Sequence, residues 1–156
     1  MISIGQDAPD FTLEASNHQT ISLHDLRGKN VVLYFYPKDL TPGCTTEACD
    51  FRDFHSDFGK YNTVVIGISP DEVKLHDRFT LKHELPFPLL ADTDHKVAEE
   101  YGVWVLKKMY GREYMGIERA TFLIDEEGKI ARIWPKVKVK GHVQEILEYI
   151  KEHKQK

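Results

Sequence analysis

The two cysteines, Cys44 and Cys49, are the residues of this chain best suited to nucleophilic or redox chemistry. They lie five positions apart in the segment 37–49, PKDLTPGCTTEAC, and the chain has no other cysteine. A thiolate attacks electrophiles and is oxidised reversibly to a sulfenic acid or a disulfide. The C-x4-C spacing alone is a weak signal, and it leaves open the alternative of two ordinary cysteines in a core helix.

The residues before Cys44 have the pattern of a helix start. Thr41 can cap a helix, and Pro42 suits the first helical position. Cys44 then falls in the first turn, where free backbone N–H groups and the helix dipole favour an anion. A cysteine at a helix N-terminus is deprotonated more readily than a free one, so the sequence predicts a thiolate at Cys44.

A continuous helix would place the two cysteines on different faces. With 100° per residue and Phe51 as the centre of the apolar stripe, Cys44 lies within about 20° of the centre and Cys49 about 160° away. The stripe also includes Phe54, Phe58 and Tyr61, whereas Arg52 and Ser56 share the polar side with Cys49. Free cysteines are usually buried, so an outward Cys49 argues against a core-filling role.

The helical spacing also separates the two sulfurs. Five residues of intact helix put the Cα atoms of Cys44 and Cys49 about 8.7 Å apart. A disulfide needs Cα atoms within about 7 Å. The pair can therefore join only if the first turn unwinds, and a helix start rich in Thr, Pro and Gly is suited to that change.

The elements around this segment predict an α/β domain that spans residues 1–156. Predicted strands are 11–13 and 20–23 as an N-terminal hairpin, 31–36 and 63–68 as buried strands, and 120–124 and 130–134 as a second hairpin. A helix is predicted from a capping box at Ser69 with Pro70 at its first position, running to about Glu84. Further helices are predicted at 94–101 and at the C-terminus, with an apolar face of Val143, Ile146, Leu147 and Ile150.

Composition and sequence pattern argue against several function classes. The net charge of −4 and the spread of basic residues argue against nucleic acid, and the alternating lysines of 136–140 indicate a solvated edge or loop. No apolar run approaches the ~20 residues of a membrane span. The N-terminus lacks the pattern of a signal peptide, so we expect a cytoplasmic protein whose thiols stay reduced. The eight histidines contain no H-x3-H pair, only His55 is close to the cysteines in sequence, and no metal site is expected.

The motif around Cys44 resembles that of the peroxiredoxins. Pro37, Thr41 and Cys44 match the P-x3-T-x2-C signature of that family, and 41–49 resembles its Q-type group, also called bacterioferritin comigratory proteins. The similarity continues through 8–11, 67–69, 102–104, 109–111 and 119–125. It implies a thioredoxin-like α/β fold, with a central mixed sheet flanked by helices and an extra N-terminal β-hairpin.

The resemblance also implies a catalytic cycle. Cys44 would be the peroxidatic cysteine that reduces hydrogen peroxide and alkyl hydroperoxides, and Cys49 would resolve its sulfenic acid as an intramolecular disulfide. Thioredoxin or a glutaredoxin would reduce that disulfide by exchange. The cycle needs no cofactor or metal, and Q-type members are often monomers, so we expect a monomer.

Four further residues receive roles from the resemblance. The Thr41 hydroxyl would bond the thiolate and the peroxide, and Pro37 would shield the site from water. Arg119 would lie beside the sulfur and hold the peroxide with its multiple donors. Glu47 matches a family acid that orients the arginine pair of the site. Without the resemblance, Thr41 indicates a helix cap, Pro37 a strand end and Arg119 a surface charge.

Four alternatives compete with a peroxidase. A dithiol–disulfide oxidoreductase would normally contain C-x-x-C, which is absent. A non-catalytic redox sensor could share the same site, and turnover with a recycling reductant would distinguish it. A structural or metal-binding domain would have no redox role, and stable activity after chelation would count against a metal. A hydrolase is the least favoured class, because no G-x-S-x-G motif occurs.

Overall fold

The computed structural model describes residues 2–153 as an α/β structure. Its strands are β1 (Thr12–Ala15), β2 (Gln19–Ser22), β3 (Asn30–Phe35), β4 (Thr63–Ser69), β5 (Leu89–Ala91), β6 (Trp104–Met109), β7 (Arg112–Ile117), β8 (Ala120–Ile124) and β9 (Ile130–Trp134). Its helices are α1 (Pro42–Asp53), α2 (His55–Gly59), α3 (Val73–His83), α4 (Lys96–Glu100) and α5 (His142–His153). Residues 1 and 154–156 of the predicted domain lie outside the described range.

Seven strands form one mixed sheet in the order β2-β1-β5-β4-β3-β8-β9. Strands β3, β4 and β5 are parallel to one another. Strand β8 pairs antiparallel with β3, and β9 pairs antiparallel with β8. The predicted N-terminal hairpin is confirmed: β1 and β2 pair with each other, and β1 joins the sheet at Ala15–Leu90. Every residue of β3 is buried, as expected for an apolar strand covered on both faces.

The sheet separates two apolar cores. The core on the face of α1, α3 and α5 contains Cys44 among aromatic rings, including Phe51, Phe58 and Phe79. The predicted apolar face of α5 is confirmed, because all four of its residues are buried in this same core. The core on the other face includes residues of α4 and the ring of Tyr101. Cys44 is therefore part of a densely packed layer rather than of a mobile loop.

The predicted helix start at Ser69 is wrong. Ser69 ends β4, and helix α3 begins only at Val73. The Ser69 hydroxyl donates to Asp71 Oδ2 at 2.7 Å and accepts from the Asp71 backbone N–H at 3.1 Å, so it forms a turn instead of a cap. The same Asp71 oxygen accepts the backbone N–H of Asp39 at 2.7 Å. The turn thus connects β4 to the loop that precedes Cys44.

Two further differences concern segments that the sequence pattern does not distinguish. The helix after Cys44 is broken at Phe54 (φ −103°, ψ 8°), which separates α1 from α2. Strands β6 and β7 form a separate two-stranded sheet, which was not predicted because their side chains are largely exposed and do not form a buried apolar run. Tyr110 and Gly111 join these strands with φ of 52° and 76°, the positive values that a tight hairpin turn requires.

Within residues 2–153, no helix is both long enough and apolar enough to span a membrane.

Candidate active site

Cys44 is the third residue of α1, as the sequence predicts. Thr41 occupies the N-cap position and Pro42 the first helical position, and the Thr45 N–H donates to the Thr41 carbonyl at 2.8 Å. The Thr41 hydroxyl does not cap the helix but donates to the Lys38 carbonyl at 2.8 Å. The Cys44 side chain is buried, with 1% of its surface exposed. The helix start thus places the sulfur under the first turn, near unpaired backbone N–H groups.

Arg119 reaches this sulfur from the neighbouring strand. It directly precedes β8, whose Ala120 pairs with Phe35 at the end of β3, so Arg119 lies beside the segment that leads into α1. Its Nη2 donates to Cys44 Sγ at 3.2 Å, and its Nη1 donates to Glu47 Oε1 at 2.6 Å. One planar guanidinium therefore joins the thiol to a buried acid, which fixes the direction in which its donors point.

Glu47 is buried completely, and this burial raises its pKa to about 7 despite the opposing effect of Arg119. Burial also opposes the charge of Arg119, but Glu47 and Cys44 outweigh it and raise the pKa of the guanidinium. Arg119 therefore stays cationic, while the charge of Glu47 depends on pH near neutrality. The expected contact of Arg119 with the sulfur, and of Glu47 with Arg119, is present in the structure.

The charge of a lysine, Lys107, also interacts with Cys44. Burial lowers the pKa of Lys107, and the charge of Arg119 lowers it further, while Glu118 and Cys44 oppose the change. Arg52, the arginine of α1, lies on the opposite face, where its Nη1 donates to the His83 carbonyl at 2.8 Å. The resemblance predicts a pair of arginines beside Glu47. Among the described residues, Arg119 is the one arginine that bonds Glu47, and Arg52 does not.

Cys49 lies on the other side of α1, as the helical spacing predicts, but it is half-buried rather than fully outward. Its Sγ is 3.8 Å from Nδ1 of His83, the last residue of α3. Sequence reasoning missed this histidine, because 34 residues separate it from Cys49. Both cysteines are free thiols in an intact α1, so the structure corresponds to the reduced state.

A buried polar network holds the loop between β3 and α1. The Tyr36 hydroxyl donates to Asp39 Oδ1 at 2.5 Å, and Asp39 Oδ2 is 2.5 Å from His76 Nδ1. His76 Nε2 donates to the Leu90 carbonyl at 2.9 Å, and the side chains of His76 and Asp39 have no exposed surface. The network was not predicted, since 37 residues separate Asp39 from His76. Pro37 is half-buried at the start of this loop.

The arrangement therefore brings Cys44, Arg119 and Glu47 into contact. Thr41 and Pro37 lie in the segment just before Cys44, whereas Cys49 lies on the opposite face of α1. A buried thiol next to a cation and a helix N-terminus is suited to react as a thiolate. In the part of the chain that the structure describes, no three His, Cys, Asp or Glu side chains are grouped to hold a metal ion.

Comparison with known proteins agrees with this chemistry. Residues 4–133 match the AhpC/TSA family. The Peroxiredoxin Bcp of Bacillus subtilis (strain 168) is 57% identical over 155 residues, which cover 99% of this chain and 99% of that protein. The Peroxiredoxin Bcp of Escherichia coli (strain K12) is 41% identical over 152 residues, or 97% of each chain.

Solved structures agree over almost the whole chain. The bacterioferritin comigratory protein of Xanthomonas campestris, studied for its alkyl peroxide reduction activity, matches with a TM-score of 0.90, 39% identity and 98% coverage of both chains. A variant of Xylella fastidiosa PrxQ matches with a TM-score of 0.93, 38% identity and 98% coverage of both chains. These matches confirm the thioredoxin-like fold expected from the sequence. The chain therefore belongs to the AhpC/TSA family and, within it, to the peroxiredoxins of the Bcp or Q-type group.

Proposed function

We propose that this peroxiredoxin reduces hydrogen peroxide and alkyl hydroperoxides by attack of the Cys44 thiolate on the O–O bond. The observation that supports it best is the position of the Arg119 guanidinium, which contacts both Cys44 Sγ and Glu47. Attack forms an S–O bond, breaks the O–O bond and releases hydroxide or an alkoxide, which takes up a proton. The alkyl peroxide reduction studied in the Xanthomonas campestris relative supports the inclusion of alkyl hydroperoxides.

The residues around Cys44 would stabilise the charge that this attack develops. Arg119 supplies fixed N–H donors on the side of the sulfur, where the expelled oxygen becomes negative. Glu47 acts through Arg119 by holding its second N–H group. The Thr41 hydroxyl, which donates to the Lys38 carbonyl in the reduced protein, would rotate to bond the peroxide. Pro37, half-buried at the start of the loop that follows β3, would limit access of water.

Cys49 would complete the cycle within one chain. Its thiolate attacks the sulfenic sulfur of Cys44, so that a disulfide forms as the S–O bond breaks, and the hydroxide that leaves takes up a proton to become water. The first turn of α1 has to unwind for this step, since an intact helix keeps the two Cα atoms about 8.7 Å apart. Gly43 and Pro42, both exposed in that turn, leave it free to open into solvent.

An external dithiol, thioredoxin or a glutaredoxin, would then reduce the disulfide by exchange. The partly exposed position of Cys49 supports attack by such a protein at this sulfur. We further propose that residues 1–156 act as one domain, as a monomer in the cytoplasm, where thiol reductants are available. The cycle requires no metal, haem or flavin, and no nucleic acid or membrane takes part in it.

Coupled turnover tests this function. Reduced protein, thioredoxin, thioredoxin reductase and NADPH are mixed with hydrogen peroxide, and NADPH consumption is followed; glutaredoxin with glutathione replaces thioredoxin in a parallel assay. We expect continuous turnover in at least one assay and none for Cys44→Ser. A sensor without catalytic activity would be oxidised only once, and a Cys44→Ser protein with full activity would exclude Cys44 as the nucleophile.

A further inference from the structure

Cys49 has a histidine partner that the peroxidase cycle described above does not use. The Nδ1 atom of His83 lies 3.8 Å from Cys49 Sγ, within hydrogen-bonding range for sulfur. The position of His83 is held from two sides: its carbonyl accepts the Arg52 Nη1 at 2.8 Å, and its ring packs at 90° against Phe79. A fixed imidazole beside a thiol is the arrangement in which a base activates a cysteine.

We propose that His83 is the proton acceptor that activates Cys49 for the resolving step, an inference that rests on the proposed function. Nδ1 takes the proton from the Cys49 thiol, and the thiolate attacks the Cys44 sulfenic sulfur. The S–S bond forms as the S–O bond breaks, and the leaving hydroxide receives the proton from His83 to become water. The sulfenic acid is the oxidant of this step, and the proton removed from Cys49 ends in the water that leaves. The step therefore needs no other reactant.

The contacts of α1 indicate which cysteine moves. Arg52, one turn after Cys49, is bonded to the last residue of α3, so the second half of α1 is attached to that helix. Cys44 lies in the first turn, whose neighbours Pro42 and Gly43 are exposed. The first turn therefore unwinds and brings Cys44 to Cys49, while Cys49 keeps its contact with His83 during the attack.

This geometry separates two roles by helix face. Arg119 and Glu47 serve the attack of Cys44 on the peroxide, whereas His83 and Arg52 serve the later attack of Cys49. A substitution at His83 should consequently change only the second step. His55 offers a matched control, because it begins α2 directly after Phe54 and its ring lies against that of Phe87.

Rapid mixing with hydrogen peroxide tests the proposal. Quenched samples of reduced protein are analysed by mass spectrometry for the Cys44 sulfenic acid and for the disulfide. We expect His83→Gln to form sulfenic acid at the wild-type rate but to form the disulfide about 100-fold more slowly, a typical loss for a missing general base. His55→Gln should match the wild type in both steps. At high peroxide, the longer-lived sulfenic acid of His83→Gln should also yield more sulfinic acid.

Chemical rescue provides the second measurement. Added imidazole should accelerate disulfide formation in His83→Ala and leave the wild type unchanged, and His83→Asn should behave like His83→Gln if the glutamine variant folds poorly. Disulfide formation at the wild-type rate in these variants, or equal slowing by His55→Gln, would overturn the proposed role of His83. Neither result would affect the proposed peroxidase function. Absence of any Cys44 sulfenic acid in Cys49→Ser would instead contradict the peroxidase function on which the inference rests.

Discussion

The Arg119 guanidinium lies against the Cys44 thiol, with Nη2 3.2 Å from Sγ, although 75 residues separate them in the sequence. The antiparallel pairing of β8 with β3 makes this contact, because it sets Ala120 opposite Phe35. The same guanidinium donates to Glu47, so the buried acid and the thiol share one cation. The chemistry of Cys44 should therefore depend on the shape of this side chain as well as on its charge.

Replacing Arg119 by lysine should slow the first step strongly. Lysine keeps the charge but lacks the planar fork that contacts both Cys44 and Glu47. We expect the second-order rate constant for hydrogen peroxide to fall about 100-fold, as for the loss of one fixed donor. Stopped-flow measurement of thiol oxidation by hydrogen peroxide gives this rate constant for the wild type and the variant. Arg132→Lys is the control, since Arg132 lies over the rings of Trp134 and Tyr149 and should leave the rate unchanged.

The raised pKa of Glu47 predicts a pH-dependent stability. The folded-state pKa of about 7 exceeds the ordinary value of 4.5, so the native state binds more protons between these values. The contribution of Glu47 to the free energy of unfolding is therefore complete below pH 4.5 and declines as pH rises to 7, by roughly 3 kcal/mol. Glu47→Gln should remove this slope.

Urea unfolding across that pH range checks the Glu47 prediction. His142, whose pKa is lowered by burial, contributes a slope of the opposite sign in both proteins, so the difference between wild type and variant is the informative quantity. Equal slopes for the two proteins would mean that Glu47 does not change its protonation on unfolding in this range.

The Asp39–His76 network predicts that an asparagine will replace Asp39 far better than an alanine. Asparagine can still accept from the Tyr36 hydroxyl and donate to Nδ1 of His76, whose Nε2 keeps its bond to the Leu90 carbonyl. Alanine leaves the buried Tyr36 hydroxyl and His76 ring without this partner, at a cost of roughly 3 kcal/mol.

We therefore expect Asp39→Ala to lower the free energy of unfolding by that amount and Asp39→Asn by about 1 kcal/mol, as for one weakened hydrogen bond. Denaturant unfolding measures both. Glu113→Gln, which removes an exposed cross-strand partner of Lys108, is the surface control and should have little effect. Equal losses for the alanine and asparagine variants would show that the network does not set the stability of the loop.

Local patterns made much of the fold predictable. Apolar runs identified β3 and β4, the spacing of Val143 to Ile150 identified the buried face of α5, and the Thr41–Pro42 pair identified the start of α1. The wrong prediction at Ser69 arose because contacts with a segment distant in the sequence determine the local structure there. Ser69 and Pro70 have the composition of a helix start, but the serine bonds Asp71 in a turn that reaches the loop at Asp39.

The site was predictable only in part for the same physical reason. Cys44, Thr41 and Pro37 lie in one short motif, so their proximity follows from the chain itself. Arg119 was assigned from the resemblance. His83 and His76 lie on α3, which the crossover between the parallel strands β4 and β5 brings against α1 and its preceding loop. Such crossovers determine which helices pack against each other, and the spacing of residues in the sequence does not predict this packing.

The central claim, that Cys44 is oxidised by peroxide and then joined to Cys49, is tested most directly by a single oxidation. One equivalent of hydrogen peroxide is added to the reduced protein, and free thiols and intact mass are measured under non-reducing conditions. The account predicts rapid loss of both thiols, a mass lower by two hydrogens and no covalent dimer. Survival of both thiols, or a dimer linked by a disulfide in place of the internal bond, would contradict it.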